Sequence, residues 1–237
     1  MPQTQAIIPA RLEATRFPGK LLMLWRGKTV LEWVWRATCD CATLSKVTIA
    51  TGDDAIRSAA EDFGATVHFD RAPYRNGTER TAGAFEDSAD HVVVVQADQP
   101  GLETDHLSML VRAMTTAKVD MVTPGVPLDH ADIDNPDVVK CWSDANGQAC
   151  FSRQPPTTEP RPRLWRHIGL YGYRVSALRQ YAKSGPCEAE EIERLEQLRS
   201  LEMGQRVRLI SLPSAAPCVD RPGDLEKLTR WFSRSVR

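Results

Sequence analysis

The sequence contains no long hydrophobic run and no excess of either charge, and each absence excludes a class of protein. No stretch approaches the ~18 apolar residues that a membrane-spanning helix requires, so we expect no membrane association. Lysine and arginine total 30 against 31 acidic residues. A nucleic-acid-binding protein needs a basic surface, so we expect no nucleic-acid partner. The first residues do not form a charged segment followed by an apolar one, and we expect no signal peptide.

Paired cysteines and the common nucleotide-binding motifs are also missing. The six cysteines are scattered, and only Cys39 and Cys41 lie close together. No CxxC pair and no cysteine–histidine spacing of a zinc site occurs, so we expect reduced thiols in a cytoplasmic protein. The sequence lacks a Walker A motif, the GxGxxG fingerprint, internal repeats and low-complexity tracts. A nucleotide site would therefore need another kind of loop.

What is present in the first half is an alternation of short apolar runs and amphipathic segments. Strands are predicted at 6–8, 47–50, 66–69 and 91–95, and helices at 29–38 and from Asp53 or Asp54 to Phe63. Successive strand–helix–strand units form right-handed crossovers and a mainly parallel sheet. In such sheets, ligands bind beyond the carboxyl ends of the strands.

The apolar run 6–8 leads into a loop that carries three cations, Arg11, Arg16 and Lys20, with Gly19 just before the lysine. A buried strand fixes the base of the loop, while the cations and backbone N–H groups can bind phosphate oxygens. The loop fits a polyphosphate site, although three cations by themselves fit a solvated basic surface equally well.

Two more polar segments follow predicted strands and should lie at the same edge of the sheet. Residues 74–80 place an Asn-Gly turn before a helix N-terminus, which either offers donors to base or ribose oxygens or is simply a capped helix. Asp98 follows the continuous β-branched strand 91–95. An acid at that point can hold Mg²⁺ together with phosphate oxygens, or it can serve as an ordinary helix cap.

From residue 121 the predicted segments are shorter and less helical. Strands are predicted at 122–127, 138–142 and 207–212, an irregular proline-rich loop at 154–162, and helices at 188–203 and 225–236. Residues 166–174 predict a strand whose alternation places His167, Gly169, Tyr171 and Tyr173 on one face. A lone histidine usually has a structural role. A strand face on which glycine leaves room and the neighbouring polar groups can hydrogen-bond to hydroxyls would, however, suit the binding of a sugar acid.

Separated motifs along the chain resemble those of sugar-activating cytidylyltransferases, and most closely the 3-deoxy-manno-octulosonate (Kdo) cytidylyltransferase family. The matching segments are Pro-Ala-Arg at 9–11, Thr-Arg at 15–16, Pro-Gly-Lys at 18–20, Asn-Gly-Thr-Glu-Arg at 76–80, Gln-Ala-Asp-Gln-Pro at 96–100, the nine residues 166–174, Leu-Glu-Gln-Leu-Arg at 195–199 and Val-Asp at 219–220. Each motif alone is weak, but their joint order is specific for this group.

The resemblance implies an α/β fold of Rossmann-like nucleotidyltransferase type, with a central mixed, mainly parallel sheet flanked by helices and a smaller β-rich excursion. It implies one domain over residues 1–237, in which about 121–180 serve sugar binding and dimerisation, and a homodimer. The implied activity is transfer of CMP from CTP to the anomeric hydroxyl of Kdo, with release of pyrophosphate, for lipopolysaccharide or capsule synthesis. Mg²⁺ would be the cofactor, and no protein nucleophile would be needed.

The same resemblance assigns roles to individual residues. The implied catalytic residues are Lys20, Asp98, Asp220 and Arg11, with Mg²⁺ on Asp98 and Asp220. The implied nucleotide-binding residues are Pro9, Ala10, Arg11, Arg16, Lys20, Asn76, Gly77, Thr78, Arg80 and Gln96. The implied sugar-binding residues are Arg153, His167, Tyr171, Glu196 and Gln197. Arg153 would pair with the sugar carboxylate through two parallel hydrogen bonds. Without the resemblance, Glu196 and Gln197 would be taken for a solvated helix face.

Several positions depart from the family pattern, and four of them bear on the substrate and activity: Asn76 replaces serine, Ala97 glycine, Gln99 glutamate and Arg221 threonine. Gln99 removes a charge near the expected metal, and Arg221 adds a cation beside Asp220. Two alternatives therefore stay open. One is a CMP-sugar synthetase for a related acidic sugar, such as amino-Kdo or a nonulosonate. The other is a catalytically silent nucleotide-binding homologue.

Overall fold

The computed structural model describes residues 2–13, 16–158 and 160–235. Within these ranges the strands are β1 (Thr4–Pro9), β2 (Leu24–Trp25), β3 (Lys28–Thr29), β4 (Lys46–Thr51), β5 (Thr66–Phe69), β6 (His91–Val95), β7 (Met121–Pro127), β8 (Lys140–Ser143), β9 (Ala149–Ser152), β10 (Trp165–His167), β11 (Leu170–Arg174) and β12 (Val207–Ser211). The α-helices in the same ranges are α1 (Val30–Cys39), α2 (Asp54–Asp62), α3 (Gly77–Ala82), α4 (Thr104–Thr116), α5 (Val175–Lys183), α6 (Glu188–Glu193), α7 (Leu198–Glu202) and α8 (Asp224–Ser235). Thr15, Glu159 and Val236, which belong to segments predicted above, lie outside the described residues.

One mixed sheet contains all of these strands except the β2–β3 hairpin. Its order is β5-β4-β1-β6-β11-β7-β10-β8-β9, and β12 adds to β7. The strands of the first half, β5, β4, β1 and β6, pair in parallel. The second half joins through β11, which runs antiparallel to both β6 and β7. The predicted Rossmann-like mixed sheet is therefore confirmed, with a parallel block of four strands in the first half of the chain and one further parallel pair, β7 with β12, in the second.

The centre of the sheet is apolar on both faces because β1 and β6 are buried over their whole length. Alternate side chains enter two separate clusters, Ile8 and Val93 on one face and Ile7 and Val94 on the other. Helices α1 and α4 cover the first face, and α5 covers the second. The continuous β-branched sequence of β6 is the expected composition for a strand that is buried on both faces.

Register brings the two halves of the chain to the same edge of the sheet. Ile7 lies opposite Val94 in the β1–β6 pair, so both strands end at the same level. The antiparallel β11 begins there, with Leu170 opposite Val95. The segment after β12 returns to this edge, where the backbone N–H of Val219 donates to the Asp98 carbonyl at 2.8 Å. The loop after β1, the loop after β6 and the segment around Asp220 are thus neighbours.

The predicted helix over 188–203 is wrong. The chain forms the short helices α6 and α7, and Arg194 between them adopts a left-handed conformation with φ 54°. Ile192, expected on the apolar stripe, is 72% exposed. Across this break the buried Arg199 of α7 pairs with Glu190 of α6, a contact that one continuous helix could not make because nine residues rise about 13.5 Å along its axis. Two short helices joined by an ion pair therefore replace the single long helix that the apolar periodicity predicts.

The predicted strand over 166–174 is interrupted. Strand β10 ends at His167, and β11 begins at Leu170. Gly169 between them approaches the loop after β6 closely, since a Cβ there would lie 2.9 Å from Cγ of Gln96 and 3.0 Å from Nε2 of Gln99. The strand bends at this glycine to follow two different neighbours, β8 on one side and β6 on the other.

No helix in the described ranges combines the length and the apolar composition needed to cross a bilayer.

Candidate active site

A cavity of about 680 Å³ opens at the edge of the sheet where β1 and β6 end. Cations, carboxylates and a few apolar groups from both halves of the chain form its wall. The residues predicted above that line it are Pro9, Ala10, Arg11, Arg16, Lys20, Asn76, Gly77, Arg80, Gln96, Asp98, His167, Tyr171, Glu196, Gln197 and Asp220. Thr78 and Arg153 are the predicted site residues that do not line it.

Lys20 joins two acids that lie far apart in the sequence. Its Nζ donates to Asp98 Oδ2 at 2.7 Å and to Asp220 Oδ1 at 3.0 Å. Gly19, with φ 70°, turns the chain just before the lysine. The lysine side chain is only 12% exposed. Burial alone would lower the pKa of Lys20, but the charges of Asp98 and Asp220 outweigh burial and raise its pKa above the ordinary value. The ammonium therefore stays protonated.

The paired aspartates suit a divalent cation. Asp98 and Asp220 each place one carboxylate oxygen within hydrogen-bond distance of the Lys20 ammonium, so the two carboxylates lie close together. Among the described residues no cluster of three or more metal-ligating side chains occurs. Two carboxylates completed by phosphate oxygens and water are the ligand set that Mg²⁺ favours in nucleotide sites. The donors present fit the predicted metal, with the nucleotide supplying the remaining ligands.

The loop after β1 is held at its base and presents its cations to the cavity. The backbone N–H of Ala10 donates to the Ala50 carbonyl at 2.9 Å, and that of Leu12 donates to Asp53 Oδ2 at 2.8 Å. Asp53, predicted as a helix cap, therefore anchors this loop with its carboxylate. In the part of the chain that the structure describes, Arg11 has no side-chain partner, which leaves its guanidinium available to an anion.

Asp137 bridges two arginines at the mouth of the cavity. Arg16 lies 3.7 Å from Asp137 and 3.6 Å from Asp220. Arg221, the departure beside Asp220, pairs with Asp137 at 3.1 Å. This pairing offsets the positive charge of Arg221 next to Asp220. The sequence offered no signal for Asp137, which belongs to the Asp/Asn-rich turn before β8.

Asn76 uses its whole side chain inside the protein. Its Oδ1 accepts the Glu79 N–H at 2.9 Å and so caps α3, while its Nδ2 donates to Tyr181 Oη at 2.9 Å and Glu190 Oε1 at 3.0 Å. Serine could form the cap but could not donate twice. Gly77 has little space, because a Cβ there would lie 3.1 Å from Cγ of Pro9. Asparagine at position 76, where the family has serine, therefore links this turn by hydrogen bonds to α5 and α6.

Glu196 is a buried carboxylate that connects the nucleotide half to the second half. Its Oε2 accepts the Thr78 backbone N–H at 3.0 Å, and its Oε1 accepts Gln96 Nε2 at 2.9 Å. Burial raises the pKa of Glu196 above its ordinary value. Thr78 therefore acts through its backbone, and its own hydroxyl is buried behind the cavity wall.

A buried ionic cluster behind this wall was not predicted. Arg199, 1% exposed, donates to Glu190 through Nε at 2.6 Å and Nη2 at 2.7 Å, and to Glu79 through Nη1 at 2.8 Å. Its guanidinium lies 4.4 Å from the centre of the Tyr181 ring. Burial opposes the charge, but Glu190 and Glu79 outweigh it and raise the pKa of Arg199. The partners Glu79 and Glu190 lie 120 and nine residues from Arg199 in the sequence, and helical spacing does not link either of them to Arg199.

His167 is neutral, and its hydrogen bonds fix its tautomer. Thr123 Oγ1 donates its only hydrogen to the Leu170 carbonyl at 2.8 Å. His167 Nε2, 2.9 Å from the same oxygen, must therefore carry a proton and donate it. Burial lowers the pKa of His167 to about 3, with the charge of Arg166 adding to the effect. The ring keeps Nδ1 as an acceptor.

Tyr171 and Gln197 place one unused donor at the cavity. Tyr171 Oη donates to Gln197 Oε1 at 3.4 Å, and its ring lies 5.5 Å from that of His167. Gln197 is 1% exposed, and its Nε2 has no partner in the described part of the chain. An unpaired buried donor is costly, so a substrate oxygen is its natural acceptor.

Arg153 lies outside the cavity wall. Its Nε donates to the Glu193 carbonyl at 2.7 Å and its Nη1 to the Pro136 carbonyl at 3.0 Å. Its backbone N–H donates to Glu193 Oε2 at 3.0 Å. In this structure the Arg153 guanidinium therefore donates to two backbone carbonyls. The contact expected between Arg153 and a sugar carboxylate stays a prediction.

Comparison with known proteins relates this chain to cytidylyltransferases. A family model described as Cytidylyltransferase matches residues 5–207. A 3-deoxy-manno-octulosonate cytidylyltransferase of Myxococcus xanthus is 40% identical over 233 residues, 95% of each chain. Another from Acaryochloris marina is 37% identical over 239 residues, 98% of each chain. A solved structure of CMP:2-keto-3-deoxy-manno-octonic acid synthetase complexed with CTP has a TM-score of 0.89 at 27% identity, covering 98% of this chain and 99% of that one. The chain belongs to the 3-deoxy-manno-octulosonate cytidylyltransferase family.

Proposed function

We propose that this chain transfers CMP from CTP to the anomeric hydroxyl of Kdo and releases pyrophosphate, for lipopolysaccharide or capsule synthesis. A bond forms between the anomeric oxygen and the α-phosphorus, and the bond from that phosphorus to the β-phosphate oxygen breaks. The hydroxyl proton passes to solvent. The observation that carries the proposal is the convergence of Lys20, Asp98 and Asp220 in one cavity. Reactions on phosphorus depend mainly on such positioning and charge, so no protein nucleophile is required.

The cationic loop is suited to the triphosphate. Arg11 has no competing partner among the described residues, and Asp98 and Asp220 raise the pKa of Lys20 above its ordinary value. Among the described residues Arg16 forms ion pairs with the exposed carboxylates of Asp220 and Asp137 at 3.6 and 3.7 Å, contacts long enough for phosphate oxygens to replace. We assign these three cations to the phosphates of CTP, with Lys20 nearest the reacting centre because it alone is held between both aspartates.

Asp98 and Asp220 would hold Mg²⁺, which would supply positive charge to the triphosphate oxygens during displacement. Their shared contact with Lys20 keeps both carboxylates turned toward this point.

The other end of the cavity is suited to a polyhydroxylated sugar. Gln197 Nε2 offers a buried donor, His167 Nδ1 an acceptor, and Glu196 a carboxylate. Gly169 removes side-chain bulk between the sugar end and Gln96. We also propose a single domain, a homodimer in which residues 121–180 contribute contacts, and a cytoplasmic location.

The test is pyrophosphate release from CTP with Kdo, with and without Mg²⁺. The proposal predicts release that needs both the sugar and the metal. The relatives favour Kdo over amino-Kdo and nonulosonates, so neither alternative sugar should exceed it in kcat/KM. Release with a nonulosonate but not with Kdo would reassign the substrate. CTP binding without turnover for any sugar would support the silent homologue instead.

A further inference from the structure

Arg80 of α3 lines the cavity and is held by two residues of the segment before the helix. Its Nη1 donates to the Asp70 carbonyl at 3.1 Å, and its guanidinium lies 5.0 Å from the centre of the Tyr74 ring. Among the described residues no carboxylate is within ion-pair distance of Arg80. The remaining N–H groups of the guanidinium are therefore left for a ligand in the cavity.

Asp70 connects Arg80 and Tyr74 to the end of β5. Its backbone N–H donates to the Thr51 carbonyl at 2.9 Å, which fixes Asp70 to the sheet. Its Oδ2 accepts the Tyr74 hydroxyl at 2.6 Å, and this hydrogen bond lowers the pKa of Asp70 below its ordinary value. Burial, together with the same carboxylate, raises the pKa of Tyr74 to about 12, so the hydroxyl remains a donor. Asp70 thus holds the guanidinium with its backbone and the ring beside it with its side chain.

Two glycines leave room for this arrangement. Gly83 follows Arg80 by three residues, so the two lie on one face of α3, and the Tyr74 ring lies across that face. A Cβ on Gly83 would collide with Oη of Tyr74 and would lie 3.0 Å from its Cζ. A Cβ on Gly52 would lie 2.8 Å from the Asp70 carbonyl oxygen and 3.5 Å from Arg80 Nη1. Gly83 has a φ of −84°, which alanine also adopts, so the constraint at this position is space and not backbone conformation.

Holding the guanidinium in advance favours ligand binding. An arginine side chain has many rotamers, and a ligand that binds a free guanidinium must restrict them. A ring face that attracts the cation, together with the Asp70 carbonyl, restricts the Arg80 side chain before the ligand arrives. Less conformational entropy is then lost on binding, and the affinity is higher.

We infer that Tyr74 is a positioning residue that holds Arg80 toward the nucleotide, and that glycine is needed at position 83 to leave room for the Tyr74 hydroxyl. The inference rests on the proposed function and on the nucleotide-binding role that the resemblance gives to Arg80. The resemblance gives no role to Tyr74 or Gly83.

The test measures the KM for CTP and the KM for Kdo by pyrophosphate release. Tyr74→Leu removes the ring face, and we expect the KM for CTP to rise about fivefold while the KM for Kdo changes less than about twofold. Tyr74→Phe keeps the ring and loses the hydrogen bond to Asp70, so its rise should be smaller, about twofold. Gly83→Ala should raise the KM for CTP about threefold or more, because the added methyl group displaces the Tyr74 hydroxyl. KM does not depend on the folded fraction, so a merely structural defect would lower the apparent kcat alone.

Double variants separate positioning from direct contact. In a Tyr74→Leu background, Gly83→Ala should raise the KM for CTP no further, because leucine does not reach the space beside Gly83. Arg80→Gln should raise this KM at least as much as Tyr74→Leu does, and adding Tyr74→Leu to it should have no further effect.

Two single variants are the matched controls. Phe85→Leu removes a ring that also lies near an arginine, Arg179 at 5.6 Å, but does not line the cavity. Gly185→Ala adds a methyl group where a Cβ would meet nothing within 4 Å. Both should keep the parental KM for CTP and for Kdo.

A parental KM for CTP in Tyr74→Leu, Gly83→Ala or Arg80→Gln, with an active parent, would overturn the inference alone. A further rise when Tyr74→Leu is added to Arg80→Gln would assign a direct nucleotide contact to Tyr74 and overturn it as well. A parent that releases no pyrophosphate with CTP and Kdo would overturn the proposed function, and with it this inference.

Discussion

Replacing Arg199 by methionine should destabilise the fold severely. The arginine side chain is 1% exposed, and its partners Glu79 and Glu190 are 13% and 11% exposed. Methionine fills a similar volume and leaves two carboxylates facing each other without a cation. Removing one partner of a buried ionic group costs about 3–5 kcal/mol, mostly because the remaining charge stays desolvated. That is a large share of a total stability of about 5–15 kcal/mol.

The assay is urea unfolding followed by circular dichroism, with the free energy of unfolding compared between parent and variant. Arg230→Met is the matched control, since that arginine is 72% exposed and its partner Glu226 is 76% exposed. Exposed pairs contribute about 0–1 kcal/mol, so the control should be nearly as stable as the parent. Adding Glu190→Gln to Arg199→Met should recover part of the loss, because one of the two unpaired charges is removed. A cost below about 1 kcal/mol for Arg199→Met would refute the reasoning.

Two further predictions concern Asn76 and His167. Asn76→Ser keeps the cap on α3 but loses the donors to Tyr181 and Glu190, so unfolding free energy should fall by about 1–3 kcal/mol and the KM for CTP should rise; unchanged urea midpoints and KM would contradict this. The ordinary pKa of histidine is 6.5, and folding lowers the pKa of His167 to about 3. When the pH falls below 6.5, His167 therefore binds a proton in the unfolded state but not in the folded state. Stability is therefore lost, by about 2 kcal/mol between pH 7 and 5. His167→Gln should remove that part of the dependence, and an unaltered pH profile would be the opposing result.

The parallel half of the fold follows directly from the sequence. Strand β6 is predicted because a run of four valines is suited to burial on both faces, and β1 because its short apolar run is typical of a buried strand; the structure pairs the two in parallel. Right-handed crossovers then place the loops after both strands at one edge. That topology is why Lys20 and Asp98, 78 residues apart, meet at 2.7 Å. Asp220 was predicted only through resemblance, since its position depends on the return of the chain after β12.

The segment 188–203 was mispredicted because its apolar periodicity fits one helix while its charges require two. Arg199 is buried with Glu190, a pair that one continuous helix would hold about 13.5 Å apart along its axis, so this contact and the break at Arg194 occur together. A tertiary ion pair of this kind cannot be predicted from the spacing of apolar residues along the sequence. The engagement of Asn76 with Tyr181 and Glu190 likewise depends on contacts over more than a hundred residues. The nucleotide contact at Asn76 and the carboxylate contact at Arg153 were therefore expected through the resemblance, which carries no information on these packing contacts.

The most direct test of the account is pyrophosphate release by Asp98→Asn with CTP, Kdo and Mg²⁺. Asparagine keeps the shape of the side chain and removes the charge shared with Lys20 and Asp220. Asp120→Asn is the control, because that carboxylate pairs with Arg206 away from the cavity wall. We predict that Asp98→Asn lowers the rate at least about a hundredfold, with circular dichroism unchanged and the control near the parental rate. Release by Asp98→Asn at close to the parental rate would contradict the central claim.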